Sequence, residues 1–445
     1  MNALKRRRFH CFVRPPRVYA GDAFGTIDTM QERVDANVER NVIVPANCSL
    51  TAEISGIQYS TRHWSDIRCS GSAVKVKRVY GYLFDDKIHP YTWQIGRPGS
   101  GDGRAPDRTY RCILRIETDD GVDGYAVGRK GRIDIDLIER RIGRELVGKD
   151  PLNTEFLWER IWDIDRIEEF PIYTLGLADI ALWDIKGKVA GLPVYQLLGG
   201  YRNRIPAYAS TASYDTEKEY LSVIEAALSR GYRSVKLHLR HRDVRTNAKL
   251  CAAVRKLVGD EFSLTLDASA LWTYTDALWF GRALEELSFE WYEEPMREFD
   301  LESYAKLCRD LDIPILAPEC SDGAHWNAGE FVRRGACDIV RTSTHYKGGF
   351  TGGIKVGHLA ESFGMRAEVH GGGLANLQLG LALPNNSYYE DLVIGADTIE
   401  QRRDGESVPF KDGYVRLPEG TVGVGWGYDA AVLEKSCIQK IQYPM

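Results

Sequence analysis

Between Ser263 and Glu319, three short apolar runs each end on a carboxylate: SLTLD on Asp267, FEWYE on Glu293 and IPILAPE on Glu319. The acids follow one another at a constant interval of 26 residues, with helix-like segments at Asp276–Leu287 and Leu301–Leu311 between them. A strand, a helix and two loops take about that length, so the stretch reads as parallel βαβαβ. Parallel strands carry their C-terminal ends on one face, and in a (β/α)8 barrel that face holds the active site. Three uncompensated carboxylates meeting there imply a cation. Oxygen donors with no Cys or His among them suit a hard ion, Mg²⁺. The alternative is that each acid caps the helix that follows it; three at one spacing favour the ion.

A chain of 445 residues exceeds one ordinary domain and divides naturally into two. With 44% hydrophobic and 27% charged residues it has the make-up of a soluble globular enzyme. A net charge of −5 gives no electrostatic reason to expect nucleic acid or an anionic membrane as partner. No apolar run is long enough to span a bilayer. Nine cysteines, odd in number and without a CxxC pair, point to reduced thiols in a cytoplasm-like compartment.

Residues 1–72 differ from the rest: the start is rich in arginine and lacks acids, and only Asp28–Val42 has a weak helical pattern. The expectation is a loosely ordered extension rather than a transit peptide. From Ala73 the pattern sharpens into a strand (AVKVKRVYGYLF), a hairpin turning at Asp119–Gly121, and helices at Ile133–Leu146, Leu152–Ile161 and Tyr173–Lys188. The polar, Gly- and Pro-rich loop Asp85–Asp107 is long enough to serve as a lid. Residues 73–200 therefore form an α+β capping domain, and 201–414 a barrel of eight strand signals and roughly seven helices. Residues 415–445, beginning as turn-rich coil, pack back on the first domain.

Read together, ALWDIKGK, the K-x-H at Lys236–His238, Asp267, the EEP at Glu293–Pro295, Pro318–Glu319, GGFTGG from Gly348, and His370 resemble the enolase superfamily in its mandelate racemase branch. The resemblance runs from about Ala73 to Asp429, and its specificity lies in the order and spacing of the whole set. It implies an α/β fold, a modified TIM barrel (β/α)7β with an α+β N-terminal capping domain. It further implies Mg²⁺ held by Asp267, Glu293 and Glu319, abstraction of a proton α to a carboxylate, and a homo-oligomer. The enediolate formed in that step carries two negative charges, which a divalent ion stabilises where they develop.

Lys236 is the candidate base, its neutral form favoured by neighbouring positive charge; otherwise it is a rim lysine paired with an acid. His238, on the same face of its strand, is a hydrogen-bond donor or a structural imidazole. His370, before a Gly-rich loop, is the second candidate acid–base group. Relatives orient that imidazole with an Asp at the end of the sixth barrel strand; here Ser343 stands at that place, with His345 and Lys347 nearby. Glu390 and Trp272 match positions that contact substrate, and Ser343 joins them as a candidate. The expected reaction is dehydration of a sugar acid, a small-molecule carboxylate. An isomerase (cycloisomerase or epimerase) is the rival on the same scaffold, and a non-catalytic protein keeping the fold is the rival outside it.

Overall fold

The computed structural model describes residues 74–86, 109–128, 130–170, 172–239, 241, 243–393, 395–400 and 408–445. The expected extension over 1–72 lies outside the described residues, as does nearly all of the Asp85–Asp107 loop.

The first domain is built on an antiparallel sheet in the order β14–β1–β2–β3, from β1 (Val76–Asp86), β2 (Thr109–Thr118), β3 (Gly124–Gly128) and the C-terminal β14 (Gln439–Tyr443). Alternation along β1 decides its two faces. Val79 and Leu83 pack on the domain's helices, whereas Tyr80 and Tyr82 form a second cluster with Leu433 of α14 (Ala430–Ser436). The C-terminal segment thus supplies both an edge strand and a cover. The helical part comprises α1 (Gly131–Leu137), a π turn (Ile138–Ile142), α2 (Gly143–Leu146), α3 (Thr154–Glu168), α4 (Ile172–Ala190) and α5 (Val194–Leu197). Along α4, Leu175, Ala178, Ile180, Ala181, Leu182 and Ile185 are all buried, as befits a helix covered on all sides.

The second domain alternates strand and helix from β4 (Arg204–Thr211) to β11 (Tyr389–Val393). Between these come α6 (Glu217–Arg230), β5 (Ser234–His238), α7 (Val244–Val258), β6 (Ser263–Asp267), α8 (Tyr274–Glu286), β7 (Tyr292–Glu293) and α9 (Leu301–Asp310). The series goes on with β8 (Ile315–Leu316), α10 (Ala324–Arg334), β9 (Ile339–Thr342), α11 (Gly349–Ser362), β10 (Arg366–Val369) and α12 (Leu374–Ala382). These eight strands are parallel and lie in chain order, with β11 beside β4, which makes the (β/α)7β architecture. The ladder does not run through the seam between β10 and β11. Side chains bridge it instead: Asn386 Oδ1 accepts from Val369 N at 2.9 Å, and the Glu368 carboxylate accepts from Ser387 N and Tyr388 N. Beyond β11, α13 (Ala396–Glu400) packs on α6, and the hairpin of β12 (Phe410–Lys411) and β13 (Tyr414–Arg416) pairs antiparallel with β4.

Two of the sequence motifs lock the domains together. Asp179 of α4 accepts from Thr351 N at 3.0 Å and Thr351 Oγ1 at 2.6 Å, covering the start of α11. Gly349 has φ +86, and a Cβ there would lie 2.2 Å from Asp179 Oδ2, so the approach requires glycine. Trp158 Nε1 donates to Gly348 O at 2.7 Å and Trp183 Nε1 to Thr351 Oγ1 at 2.9 Å. Asp184 accepts from Tyr125 N and Val424 N and pairs with Lys188. Both ALWDIKGK and GGFTGG therefore serve the interdomain joint. Among the described residues, no helix is long and apolar enough to cross a membrane.

Candidate active site

Register brings the expected residues to one end of the barrel. His238, Asp267 and Glu293 are paired neighbours across β5, β6 and β7, so their side chains leave the sheet on one side. Lys236 lies two residues earlier on the same face. Glu319 follows β8, while Glu390 projects from β11 on the far side of β4. None of the three acids caps the helix after it: the N-caps of α8, α9 and α10 are Thr273, Asp300 and Gly323.

Lys236 Nζ lies 2.8 Å from Glu390 Oε1, 3.0 Å from Glu293 Oε2 and 3.3 Å from Asp267 Oδ2. His238 Nε2 is 3.0 Å from Asp267 Oδ2, and Ser269 holds the other oxygen of Asp267 through its N–H at 2.7 Å. His370 Nδ1 stands 2.9 Å from Glu319 Oε2 and 3.4 Å from Glu390 Oε2.

One member of the cluster was not foreseen. Arg341 of β9 is wholly buried, with Nε 2.7 Å from Glu293 Oε1 and 3.7 Å from Glu319 Oε2. Its Nη2 donates to Glu390 Oε2 at 2.8 Å and to Tyr208 Oη at 3.1 Å. A signal was there: in CDIVRTS, Arg341 sits two residues before Ser343 and so faces the same side.

The electrostatics follow from four buried carboxylates, Asp267, Glu293, Glu319 and Glu390, against two fixed cations, Lys236 and Arg341. Burial opposes charge on Lys236, but Glu293 and Glu390 outweigh it and hold the ammonium well above its usual range. This is the reverse of the neutral lysine expected from the sequence, because Lys236 is surrounded by acids. Burial also works against Glu390 and Glu319, yet Lys236 and Arg341 around the first and His370 beside the second keep both ionised well below the usual carboxylate range. Asp267 is lowered to about 2: His238 and Lys236 overcome its burial. At Glu293 burial wins over Arg341 and Lys236, and its pKa rises well above the ordinary value. Four carboxylates thus crowd two fixed cations, and Glu293 is the one that burial favours in its protonated form.

The residues fit a divalent ion on a second ground. Glu293 Oε1 faces Arg341 Nε and Glu319 Oε2 faces His370 Nδ1 as ion pairs, but none of these atoms completes a hydrogen bond, so both carboxylates remain available to a cation. Among the described residues two groups have donor atoms within 4.8 Å of one another, Glu293, Glu319 and His370, and Glu294, Glu319 and Cys320, with Glu319 common to both. Asp267, expected as the third ligand, is instead turned toward Lys236, His238 and Ser269. Glu293 and Glu319, with Asp267 beside them at the same barrel end, offer a hard oxygen donor set suited to Mg²⁺.

Other expected residues stand apart. Trp272 packs on Phe280 and Tyr292, with ring centroids at 4.9 and 6.2 Å, within the layer between strands and helices. It does not line the mouth, because Tyr292 leaves β7 on the side opposite Glu293. Ser343 Oγ accepts from Tyr346 N at 2.8 Å, closing a local turn rather than orienting His370. The imidazole meets the Tyr346 ring at 5.0 Å and has its carboxylates in Glu319 and Glu390. Lys347, which sequence left as either a partner or solvent-facing, is fully buried and donates to Glu319 O and Ser321 O. His345 is half-buried with its ring 4.8 Å from that of Tyr346. Glu294 lies beside Glu319, accepting from its N–H at 2.8 Å, and burial pushes its pKa up to about 8.

Known proteins of two related kinds match this chain. The family model for the mandelate racemase / muconate lactonizing enzyme N-terminal domain matches residues 107–199, and that for the enolase C-terminal domain-like fold matches 219–432. Arabinonate dehydratase of Saccharolobus solfataricus is 30% identical over 336 residues, covering 72% of this chain and 88% of that protein. The 3,6-anhydro-alpha-L-galactonate cycloisomerase of Streptomyces coelicolor is 27% identical, over 69% of this chain and 86% of its own. Among solved structures, D-glucarate dehydratase from Agrobacterium tumefaciens, complexed with magnesium, superimposes with a TM-score of 0.73 at 34% identity. It covers 82% of this chain and 99% of that one.

Proposed function

Because this chain belongs to the mandelate racemase / muconate lactonizing enzyme family, we propose that it is a magnesium-dependent dehydratase of a sugar acid. The observation that carries the reading is the placement of two proton-transfer side chains, Lys236 on β5 and His370 after β10, around one crowded carboxylate cluster. Glu293 and Glu319 are the ligands that would hold the metal, with Asp267 the third acid at the same barrel end. Bound there, magnesium supplies positive charge to the substrate carboxylate as the enediolate forms.

The chain's own groups divide the rest of the work. His370 takes the α-proton, and Lys236, which Glu293 and Glu390 hold as the ammonium, returns a proton to the departing β-hydroxyl from a different strand. His370 keeps 15% of its side chain exposed and can exchange its proton with solvent, whereas Lys236 is sealed beneath the acids. His238 fixes one oxygen of Asp267. Glu390 holds Lys236 and Arg341 in place from β11. The cycloisomerase relative supports a second reading, proton abstraction with ring opening and no loss of water. Incubation of the full chain with Mg²⁺ and a panel of aldonic, aldaric and anhydro-sugar acids separates the two. A product lighter by one water supports the dehydratase, and a product of equal mass supports the isomerase.

The described cysteines are all unpaired, which supports a reducing, cytoplasmic compartment. A homo-oligomer is part of the same reading, and light scattering of the purified chain would test it.

A further inference from the structure

The ligand Glu319 is gripped through its backbone from two sides. Glu294 Oε1 accepts from Glu319 N at 2.8 Å and Cys320 N at 3.4 Å. Lys347 Nζ donates to Glu319 O at 2.8 Å and to Ser321 O at 3.1 Å. Both side chains are buried; Glu294 lies close to the donor atoms of Glu319 and Cys320, but its Oε1 is occupied by their backbone N–H groups. Burying an ammonium against neutral carbonyls costs desolvation free energy, so its contribution must lie in what it holds still. Lys347 also belongs to the loop whose next residue, Gly348, accepts the Trp158 indole N–H of the capping domain at 2.7 Å. The backbone around Glu319 is thereby tied to a loop that the first domain secures.

We propose that Glu294 and Lys347 are positioning residues for the metal ligand Glu319, bracketing residues 319–321 so that its carboxylate is set before an ion arrives. Neither touches substrate or ion. The bracket works through hydrogen bonds, not charge, on the Glu294 side: any side chain of that length with an acceptor oxygen serves. Outer groups that orient a metal ligand typically contribute about 10–100-fold in metal affinity.

The inference rests on the reading of Glu319 as a magnesium ligand, and the experiment keeps the two apart. The full chain, freed of divalent ions by chelation, is titrated with Mg²⁺ by calorimetry, and the melting temperature of each variant is recorded in parallel. Glu294→Met and Lys347→Met are expected to weaken Mg²⁺ binding by about 10–100-fold, while Glu294→Gln restores most of what Glu294→Met loses. If Lys347→Met does not fold, Lys347→Gln, which keeps a donor for one carbonyl, is expected to fall between it and the parent. A folded Glu294→Met with parental affinity, or Glu294→Gln as weak as Glu294→Met, would overturn the bracket. Glu319→Gln with parental affinity would overturn the ligand reading itself, and the bracket with it.

Discussion

Two sets of buried carboxylates in this molecule are treated in opposite ways. At the interdomain joint, Asp179 is satisfied by the N–H and hydroxyl of Thr351, and Asp184 by Tyr125 N, Val424 N and Lys188. At the barrel mouth, Glu293 and Glu319 face Lys236, Arg341 and His370, yet each keeps an oxygen without a hydrogen bond. Complete local satisfaction marks an acid whose work is structural. Ion pairs that leave carboxylate oxygens without a completed hydrogen bond mark an acid placed to take up something that arrives from outside.

The sharpest way to break this contrast is to neutralise one acid in each region. Glu293→Gln is expected to lower turnover by roughly 10³ or more, through loss of charge stabilisation at the reacting centre. Its melting temperature should hold, because burial already favours the protonated form of Glu293, which the neutral amide resembles in size and charge. A Glu293→Gln variant that turns over normally, or one that fails to fold, would put the mouth in the same class as the joint.

Next in size, Lys236→Ala and His370→Asn are each expected to cost about 10²–10⁴ in rate, the usual worth of a general acid or base. Substrate recovered from D2O tells them apart: the variant that has lost the proton-abstracting group no longer exchanges the α-hydrogen. Unchanged exchange in both variants would leave neither as the base.

A smaller, complementary effect belongs to the joint. Asp179→Ala leaves the Thr351 N–H and hydroxyl buried without an acceptor, which costs on the order of 1–3 kcal/mol. Denaturant unfolding should register that loss, while turnover per folded molecule stays close to parental. A catalytic collapse without loss of stability would contradict the division.

The smallest effect is on pH dependence. Burial pushes Asp179 up to about 7 from an ordinary 3.8. Between those values the folded state keeps the proton that the unfolded chain gives up, so stability falls as pH rises across this window. The Asp179 contribution is therefore favourable at low pH and gone above about pH 7. Asp179→Asn cannot ionise, and its melting temperature should fall less than the parent's from pH 4 to 7. Parallel curves for the two proteins would show that Asp179 does not titrate in that range.

How legible all this was depended on the range of the signal. Asp267, Glu293 and Glu319 stood out because strand–helix repeats impose a spacing, and Lys236 and His370 because a K-x-H and a strand-end histidine are local patterns. Arg341 was missed because one arginine in a short apolar strand has no pattern of its own. Its meaning appears only when β9 is set opposite β7 and β11. The pairing of Lys236 with Glu390 likewise depends on barrel closure, which places β11 next to β4. The local contacts of Trp272 and Ser343 were hidden for a related reason. Chain position located them near the mouth, but local packing on Phe280 and a turn to Tyr346 directed them elsewhere. The C-terminal segment read as coil also contains β14, whose partner β1 lies at the other end of the described chain.

The central claim is that the carboxylate-crowded mouth is a single-magnesium dehydration site. Its most direct test is to restore Mg²⁺ stepwise to chelator-treated protein while recording ion occupancy and water loss from the best substrate of the acid-sugar panel. Turnover should be absent at the start and rise in proportion to occupancy of one site per chain, with a product one water lighter than substrate. Full dehydration in excess chelator, or activity that fails to track the ion, would contradict it.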